Sequence, residues 1–242
     1  MSTPLEHRTE ELDRVLEHAA REHSPAAFAS SLGAEDMVIT HAILSRKLDI
    51  EIFTLDTGRL HADTLGLITA IQDRYGYEIR VVRPDPEAVA QYVVQHGRDA
   101  FYESVELRKR CCEIRKVEPL KRALAGKACW ITGQRRDQSM TRARLEIREH
   151  DAAHGLLKIN PLAEWSEAEV WQYIGRHGVP FNRLHEQGYR SIGCAPCTRP
   201  TVSGEDVRAG RWWWEPRETR ECGLHFTPDG RVVRAKTAEP TA

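Results

Sequence analysis

The sequence predicts an α/β protein with a doubly wound, mostly parallel sheet. Short apolar segments alternate with amphipathic helical segments along the first half of the chain. Polar loops follow three of the apolar segments, as they do at the carboxyl ends of parallel strands. The 242 residues are 40% hydrophobic and 29% charged, which is typical of a globular protein. We therefore expect one domain over residues 1–200 and a carboxyl-terminal tail over residues 201–242.

The predicted elements follow from the spacing of the apolar residues. Leu12, Leu16 and Ala19 share one face, which indicates an amphipathic helix over residues 8–22. Ser166 and Glu169 form the pattern of a capping box, which predicts another helix that ends near residue 174. Between these helices we expect strands over 26–30, 50–55, 77–82 and 129–132, and helices over 37–47, 64–74, 87–95 and 117–125.

Three loops are expected to line one cleft, because each follows a predicted strand. They comprise residues 31–36, 56–59 and 133–137. The carboxyl ends of parallel strands meet at one edge of the sheet, and ligands bind there. A loop that leads from such a strand into a helix points backbone N–H groups at an anion. The cleft is therefore predicted to bind an anionic ligand.

The first loop resembles a modified pyrophosphate-binding loop (PP-loop) of the S-G-G-x-D-S type. Ala34 stands at the position of the second glycine, and Glu35 adds a carboxylate near the phosphate position. A carboxylate there would repel a triphosphate, so a smaller anion is the better fit. The alternative is a tight turn between strand and helix with no ligand.

A cluster of arginines follows the fourth predicted strand. Arg135 and Arg142 are candidates for an anion clamp, because a guanidinium group pairs well with phosphate and sulfate oxygens. The alternative is a solvated helix face.

Two cysteine pairs stand far apart in the sequence. Cys111 and Cys112 are adjacent, and Cys194 and Cys197 enclose two residues. Folding could bring all four thiols together as a tetrathiolate zinc site or an iron–sulfur cluster. Adjacent cysteines are hard to aim at one small ion but can bind separate irons of a cubane, so a cluster is favoured. Zinc, unligated thiols and a disulfide remain alternatives.

The two remaining cysteines have different surroundings. Cys222 stands alone in a glycine-containing segment beside Arg220 and His225, which makes it a candidate nucleophile. An incidental thiol is the alternative. Cys129 lies in an apolar strand next to Trp130, and we expect it to be a packed core residue.

Composition argues against several classes of partner. The formal net charge of −1 gives no bulk attraction to nucleic acid or to a membrane surface. There is no apolar run long enough to span a membrane and no signal peptide. Six cysteines without a secretory signal indicate a reducing cytoplasm. A homo-oligomer is compatible with the sequence, which does not fix the oligomeric state.

Seven motifs together resemble the assimilatory adenylyl-sulfate reductases of the wider phosphoadenylyl-sulfate reductase group. The resemblance extends from about residue 28 to residue 226, and the order of the motifs makes it specific. They are S-x-G-A-E-D at 31–36, L-D-T-G-R at 55–59, C-C-x-x-R-K at 111–116, T-G-Q-R-R-D-Q-S at 132–139, G-C-x-P-C-T-R at 193–199, G-R-W-W-W-E at 210–215 and E-C-G-L-H at 221–225.

This resemblance implies a fold, a cofactor and a set of site residues. The implied fold is the PP-loop type of α/β domain, similar to the adenine nucleotide alpha hydrolases. The implied substrate is adenosine 5′-phosphosulfate, and the 3′-phosphorylated nucleotide is the alternative. The resemblance implies a [4Fe–4S] cluster on Cys111, Cys112, Cys194 and Cys197, nucleotide contacts at Ser31, Gly33, Leu55, Gly133 and Arg142, phosphosulfate contacts at Lys116, Arg208 and Arg211, and a nucleophile at Cys222.

The same resemblance implies a two-step reaction. The Cys222 thiolate attacks the sulfate sulfur, AMP leaves, and thioredoxin releases sulfite from the S-sulfonated cysteine. Only twenty residues follow Cys222, so we expect thioredoxin to be a separate protein. A PP-loop tRNA thiolation enzyme and a non-enzymatic iron–sulfur sensor that binds a nucleotide are the rival interpretations.

Overall fold

A six-stranded sheet organises the computed structural model, which describes residues 3–139, 142–216 and 219–220. The strand order is β3-β2-β1-β4-β6-β5, and β5 is antiparallel to β6 whereas the other pairs are parallel. The strands are β1 (Ala26–Ser30), β2 (Ile50–Leu55), β3 (Arg80–Val82), β4 (Cys129–Ile131), β5 (Arg148–Asp151) and β6 (Leu156–Ile159).

Seven α-helices connect or flank these strands in the described part of the chain. They are α1 (Pro4–Glu22), α2 (Ala34–Ser45), α3 (Ala62–Tyr75), α4 (Pro86–His96), α5 (Val105–Cys112), α6 (Glu118–Leu124) and α7 (Glu167–His177). None of the helices in residues 3–139 and 142–216 is both long and apolar enough to cross a membrane.

The predicted doubly wound architecture is confirmed by the two packed faces of the sheet. On one face, Leu16 of α1 and Ile39 of α2 belong to the same buried cluster as Phe28 of β1. On the other face, Leu120 of α6 packs with Phe53 of β2. Because helices cover both faces, the central strands β1 and β4 are buried on both sides, whereas the edge strand β5 is partly exposed. The division at residue 200 stays a prediction.

The order of the strands reverses between β1 and β4. The chain moves from β1 outward to β2 and β3, and then returns to place β4 on the other side of β1. The connections that leave β1 and β4 therefore diverge, which opens a crevice at the carboxyl ends of these strands.

Most predicted elements are present, with three differences. The predicted strand 77–82 shortens to β3, because the Tyr77 hydroxyl accepts the N–H of Ile52 (3.0 Å). The hairpin of β5 and β6 was not predicted, since its edge strand reads Arg-Glu-His-Asp and carries no apolar pattern. The helix α5 was also not predicted, and it carries Cys111 and Cys112 at its carboxyl end.

A turn of π-helix over Glu113–Val117 joins α5 to α6 in one continuous helical segment. Pro119 has no N–H and cannot bond the carbonyl of Arg115. A wider turn just before the proline accommodates that loss. In a π turn the hydrogen bond joins residues five apart. Lys116 therefore lies nearer to the side of the helix that carries Cys111 than it would in an α-helix.

A cluster of aromatic and histidine rings joins α2, α3 and α7. Nδ1 of His41 lies 3.0 Å from the Tyr75 hydroxyl, and its ring contacts Tyr173 and His177 at centroid distances of 5.7 and 5.2 Å. Burial, with His177 and Arg74 nearby, lowers the pKa of His41 to about 4. The folded protein therefore holds this imidazole neutral at neutral pH.

Stability is expected to fall as the pH drops from about 6.5 to about 4, because the unfolded chain then protonates His41 while the folded chain does not. Urea denaturation across this range should give a smaller pH slope for His41→Gln than for the unaltered chain. His7→Gln, at an exposed position, is the matched control and should keep the slope. Equal slopes for all three proteins would contradict this account.

Candidate active site

A cavity of about 240 Å³ opens at the carboxyl ends of β1, β2 and β4. It lies at the reversal of strand order, where the sequence predicted an anion-binding cleft. All five residues predicted to contact the nucleotide line it, namely Ser31, Gly33, Leu55, Gly133 and Arg142.

The first loop is held in place by a buried carboxylate. The backbone N–H and the hydroxyl of Ser31 both donate to Oδ2 of Asp36, each at 2.6 Å. Burial raises the pKa of Asp36 to about 6, and the two bonds from Ser31 oppose that rise. A Cβ atom at Gly133 would overlap the Asp36 carboxylate, so only glycine allows the first and third loops to approach this closely.

Glu35 lies at the cavity wall, but its charge is paired. Nε and Nη2 of Arg135 each lie 2.9 Å from Oε1 of Glu35, and the Arg135 side chain is only 2% exposed. The prediction that Arg135 clamps an anion in the cleft is therefore wrong, because Glu35 takes its guanidinium group. The pairing also removes the repulsion that Glu35 would exert on a bound anion.

Basic side chains cover another wall of the cavity. Lys116, Arg208 and Arg211, which were predicted to contact the phosphosulfate, all line it, and Arg190 joins them. The guanidinium group of Arg211 lies close against Gly193, where a Cβ atom would overlap it. The cavity thus has the charge that a dianionic ligand requires.

The four cysteines of the two predicted pairs line a second, smaller cavity beside the first. Cys194 and Cys197 flank a tight turn in which the Cys197 N–H donates to the Cys194 carbonyl (2.9 Å). The loop after β2 supports this turn, because the Thr57 hydroxyl lies 3.2 Å from Sγ of Cys194. The predicted convergence of the two pairs is therefore present in the structure.

The spacing of the thiols bears on the kind of group they could hold. A single zinc ion needs its sulfur ligands about 2.3 Å from the metal, hence crowded together. Within residues 3–139 and 142–216, no group of three or more His, Cys, Asp or Glu side chains is close enough to hold one metal ion. Adjacent cysteines suit the separate irons of a cluster, so the donor set of four thiols around one cavity fits an iron–sulfur cluster.

Burial disfavours the thiolate form of two of the cysteines at the second cavity. Burial raises the pKa of Cys111, and it raises the pKa of Cys197 to about 12, with Cys194 adding to the rise. A metal must therefore displace protons from these thiols when it binds. Cys129 lies fully buried in β4, as predicted for a core residue.

The two cavities share a wall. Lys116 lines both of them, because the π turn carries it back toward the cysteines. Arg59, Arg108 and Arg115 also surround the cysteine cavity. Glu215 pairs with Arg108, and Asp99 pairs with Arg59. Arg115 and Lys116 therefore supply the positive charge that acts on the thiols and would balance thiolates.

A buried ion pair ties the segment after residue 210 to the cysteine-bearing helix. Nε and Nη2 of Arg108 contact the two carboxylate oxygens of Glu215 at 2.8 and 2.7 Å. Nη2 of Arg108 also donates to the Thr219 carbonyl (2.6 Å), and its guanidinium carbon lies 4.9 Å from the centre of the Trp212 ring. Cys222 follows shortly in sequence, but it lies outside the described residues.

Several cavity residues were not identified from the sequence. Three of them lie inside the motifs at 31–36 and 132–139, where the resemblance assigned them no role, and the other two lie outside all seven motifs, so their place in the cavity depends on the tertiary fold. These residues are Asp36, Gln134, Gln138, His185 and Arg190.

The Arg108–Glu215 pair gives a stability prediction. Glu215→Gln leaves a buried guanidinium without its carboxylate, and we expect a loss of about 3–5 kcal/mol in the free energy of unfolding. The double variant Arg108→Met with Glu215→Leu should lose less, because it buries no charge. Urea denaturation measures both.

The matched control is Glu17→Gln at the surface pair of Glu17 and Arg46 (2.7 Å). We expect a change of no more than about 1 kcal/mol, because solvent screens that pair. A loss at Glu215 no larger than at Glu17 would refute the structural role of the buried pair.

Comparison with known proteins identifies the family. The model of the "Phosphoadenosine phosphosulfate reductase domain" matches residues 25–200. The chain is 58% identical over 227 residues to a protein of Burkholderia cepacia named adenosine 5′-phosphosulfate reductase, with 94% of this chain and 91% of the relative covered. A relative of the same name from Allochromatium vinosum is 60% identical over 211 residues, with 87% and 82% covered.

Solved structures share the fold of this chain. Phosphoadenylyl-sulfate reductase from Candida auris, in a phosphate complex, matches with a TM-score of 0.68 and 26% identity, over 82% of this chain and 99% of that chain. FMN adenylyltransferase from Candida glabrata, with a TM-score of 0.57 and 14% identity, shares the fold over 90% of this chain and 74% of its own. The chain therefore belongs to the phosphoadenosine phosphosulfate reductase family.

Proposed function

We propose that this chain reduces adenosine 5′-phosphosulfate to sulfite and AMP in assimilatory sulfate reduction. The relatives at 58% and 60% identity carry the name adenosine 5′-phosphosulfate reductase. The observation that carries the proposal is the shared wall at Lys116, with a cationic cavity on one side and four cysteines on the other.

The nucleotide fits the first cavity by charge and by position. The phosphate loop at Ser31 and Gly33 leads into the amino-terminal end of α2, which suits an anion. Arg142 reaches the cavity from the third loop. The sulfate would then meet Lys116, Arg208 and Arg211 on the basic wall.

A [4Fe–4S] cluster would be held by Cys111, Cys112, Cys194 and Cys197. The donor set fits, because four thiols line one cavity and basic side chains surround it. When bound, the cluster supplies a fixed negative charge near Lys116 and ties the helix α5 to the turn after residue 193. The protein's own residues carry out the reaction steps.

The first step forms the S-sulfonated enzyme. The Cys222 thiolate donates an electron pair to the sulfate sulfur, and the bond from that sulfur to the bridging oxygen breaks. AMP leaves with the electron pair of the broken S–O bond, and the enzyme keeps the sulfonate on Cys222 through the new S–S bond. Lys116, Arg208 and Arg211 stabilise the negative charge that builds up on the leaving phosphate.

The second step needs an external dithiol, for which thioredoxin is suited. One thioredoxin thiolate attacks Sγ of Cys222, and sulfite leaves with the electron pair of the S–S bond. The second thiol resolves the mixed disulfide, which returns Cys222 to a thiolate. The dithiol thus supplies both electrons and becomes a disulfide.

Intact mass spectrometry tests the proposal without a reductant. Incubation with adenosine 5′-phosphosulfate should add one sulfonate to the unaltered protein and none to Cys222→Ser, because only Cys222 acts as nucleophile. Cys129→Ser, in a buried strand, is the matched control and should still form the adduct.

The 3′-phosphorylated nucleotide, assayed in parallel, tests the alternative substrate. We expect slower adduct formation with it. An unaltered protein that binds the nucleotide but forms no adduct, or an adduct that persists in Cys222→Ser, would refute the mechanism.

A further inference from the structure

Gln138 connects the phosphate loop to Arg142 in the wall of the main cavity. Its Nε2 donates to Oε1 of Glu35 at 2.9 Å. Its Oε1 accepts a hydrogen bond from Nη1 of Arg142 and one from the backbone N–H of Arg135 (3.2 Å). One amide side chain therefore uses both of its ends.

The orientation of this amide is fixed by the charges on its two sides. An ionised Glu35 can only accept hydrogen bonds, so the Gln138 NH₂ group must face it. Arg142 can only donate, so the Gln138 oxygen must face the guanidinium group. A flipped amide would lose both bonds.

Buried Arg135 begins this series of contacts by holding Glu35 in place. Its guanidinium group holds the Glu35 carboxylate (2.9 Å) and also donates to the Trp165 carbonyl (3.2 Å). The Arg135 side chain is only 2% exposed, and these contacts hold it in place. The series of contacts therefore runs from buried Arg135 through Glu35 and Gln138 to Arg142 at the cavity.

This arrangement restricts the rotamers of the Arg142 side chain. A free arginine side chain has many rotamers, and binding a ligand would have to order them. Gln138 orders the guanidinium group before the ligand arrives, which lowers that cost.

We propose that Gln138 is a positioning residue that acts on the nucleotide through Arg142, held in turn by Glu35 and Arg135. This inference rests on the proposed function, because it takes Arg142 to contact the nucleotide. The inference adds Gln138 to the site, with an effect on nucleotide binding that requires Arg142.

A double-mutant cycle on AMP binding tests the inference. Gln138→Met keeps the volume of the side chain but removes all three of its hydrogen bonds, to Glu35, Arg142 and the Arg135 backbone. We expect it to weaken AMP binding about 3- to 10-fold in the unaltered background, measured by calorimetry. In the Arg142→Met background we expect it to change the affinity less than about 2-fold.

Gln134→Met is the matched control. Gln134 lines the same cavity, but its side-chain oxygen accepts from Nζ of Lys158 (2.8 Å) instead of from Arg142. We expect its effect on AMP affinity to be the same factor in both backgrounds. Equal effects of Gln138→Met in the two backgrounds would overturn the proposal, because Gln138 would then act without Arg142.

A second readout avoids dependence on affinity. The Nε–H signal of Arg142 in ¹H–¹⁵N spectra is identified by its loss in Arg142→Met. In Gln138→Met this signal should show a lower order parameter, while Gln134→Met leaves it unchanged. An equally ordered Arg142 in Gln138→Met would overturn the proposal.

The inference and the proposed reaction can fail separately. If the sulfonate adduct forms while the double-mutant cycle is additive, only this inference fails. If AMP binding couples as stated and no adduct forms, only the proposed reaction fails.

Discussion

One helical segment determines how the two cavities lie against each other. Residues 105–124 run through α5, the π turn and α6 without a break, and this segment carries both Cys112 and Lys116. The rigid helix fixes the distance between the thiols and the lysine. The π turn fixes the side on which the lysine emerges. The position of Lys116 relative to Cys111 and Cys112 is therefore a property of the backbone, and it does not depend on a flexible side chain alone.

Two buried ion pairs join distant segments of the described chain. Glu35 lies against Arg135, and Glu215 lies against Arg108, in both cases at less than 3 Å. A buried pair contributes little net stability, but it is costly to break. Each of these pairs joins segments about 100 residues apart, with separations of 100 and 107 positions. They therefore fix the register of the loops around the site more than they stabilise the fold.

The sheet and the cavity could be predicted from the sequence because local patterns encode them. Apolar runs such as 50–55 mark buried strands, and the parallel order follows from the alternating helices. The four cysteines could be grouped because adjacent thiols are rare outside metal sites. In contrast, the pairing of Arg135 with Glu35 could not be predicted, since it depends on how the first and third loops meet. The hairpin of β5 and β6 was missed because its edge strand is polar.

Anomalous diffraction at the iron absorption edge tests the central claim, which is that a cluster and a nucleotide lie on opposite sides of Lys116. Crystals would be grown from protein purified without oxygen, in the presence of AMP. The account predicts iron density among Cys111, Cys112, Cys194 and Cys197, and an AMP phosphate at the loop of Ser31 and Gly33. A single metal ion held by fewer of these cysteines, or AMP bound away from the carboxyl ends of β1 and β4, would contradict it.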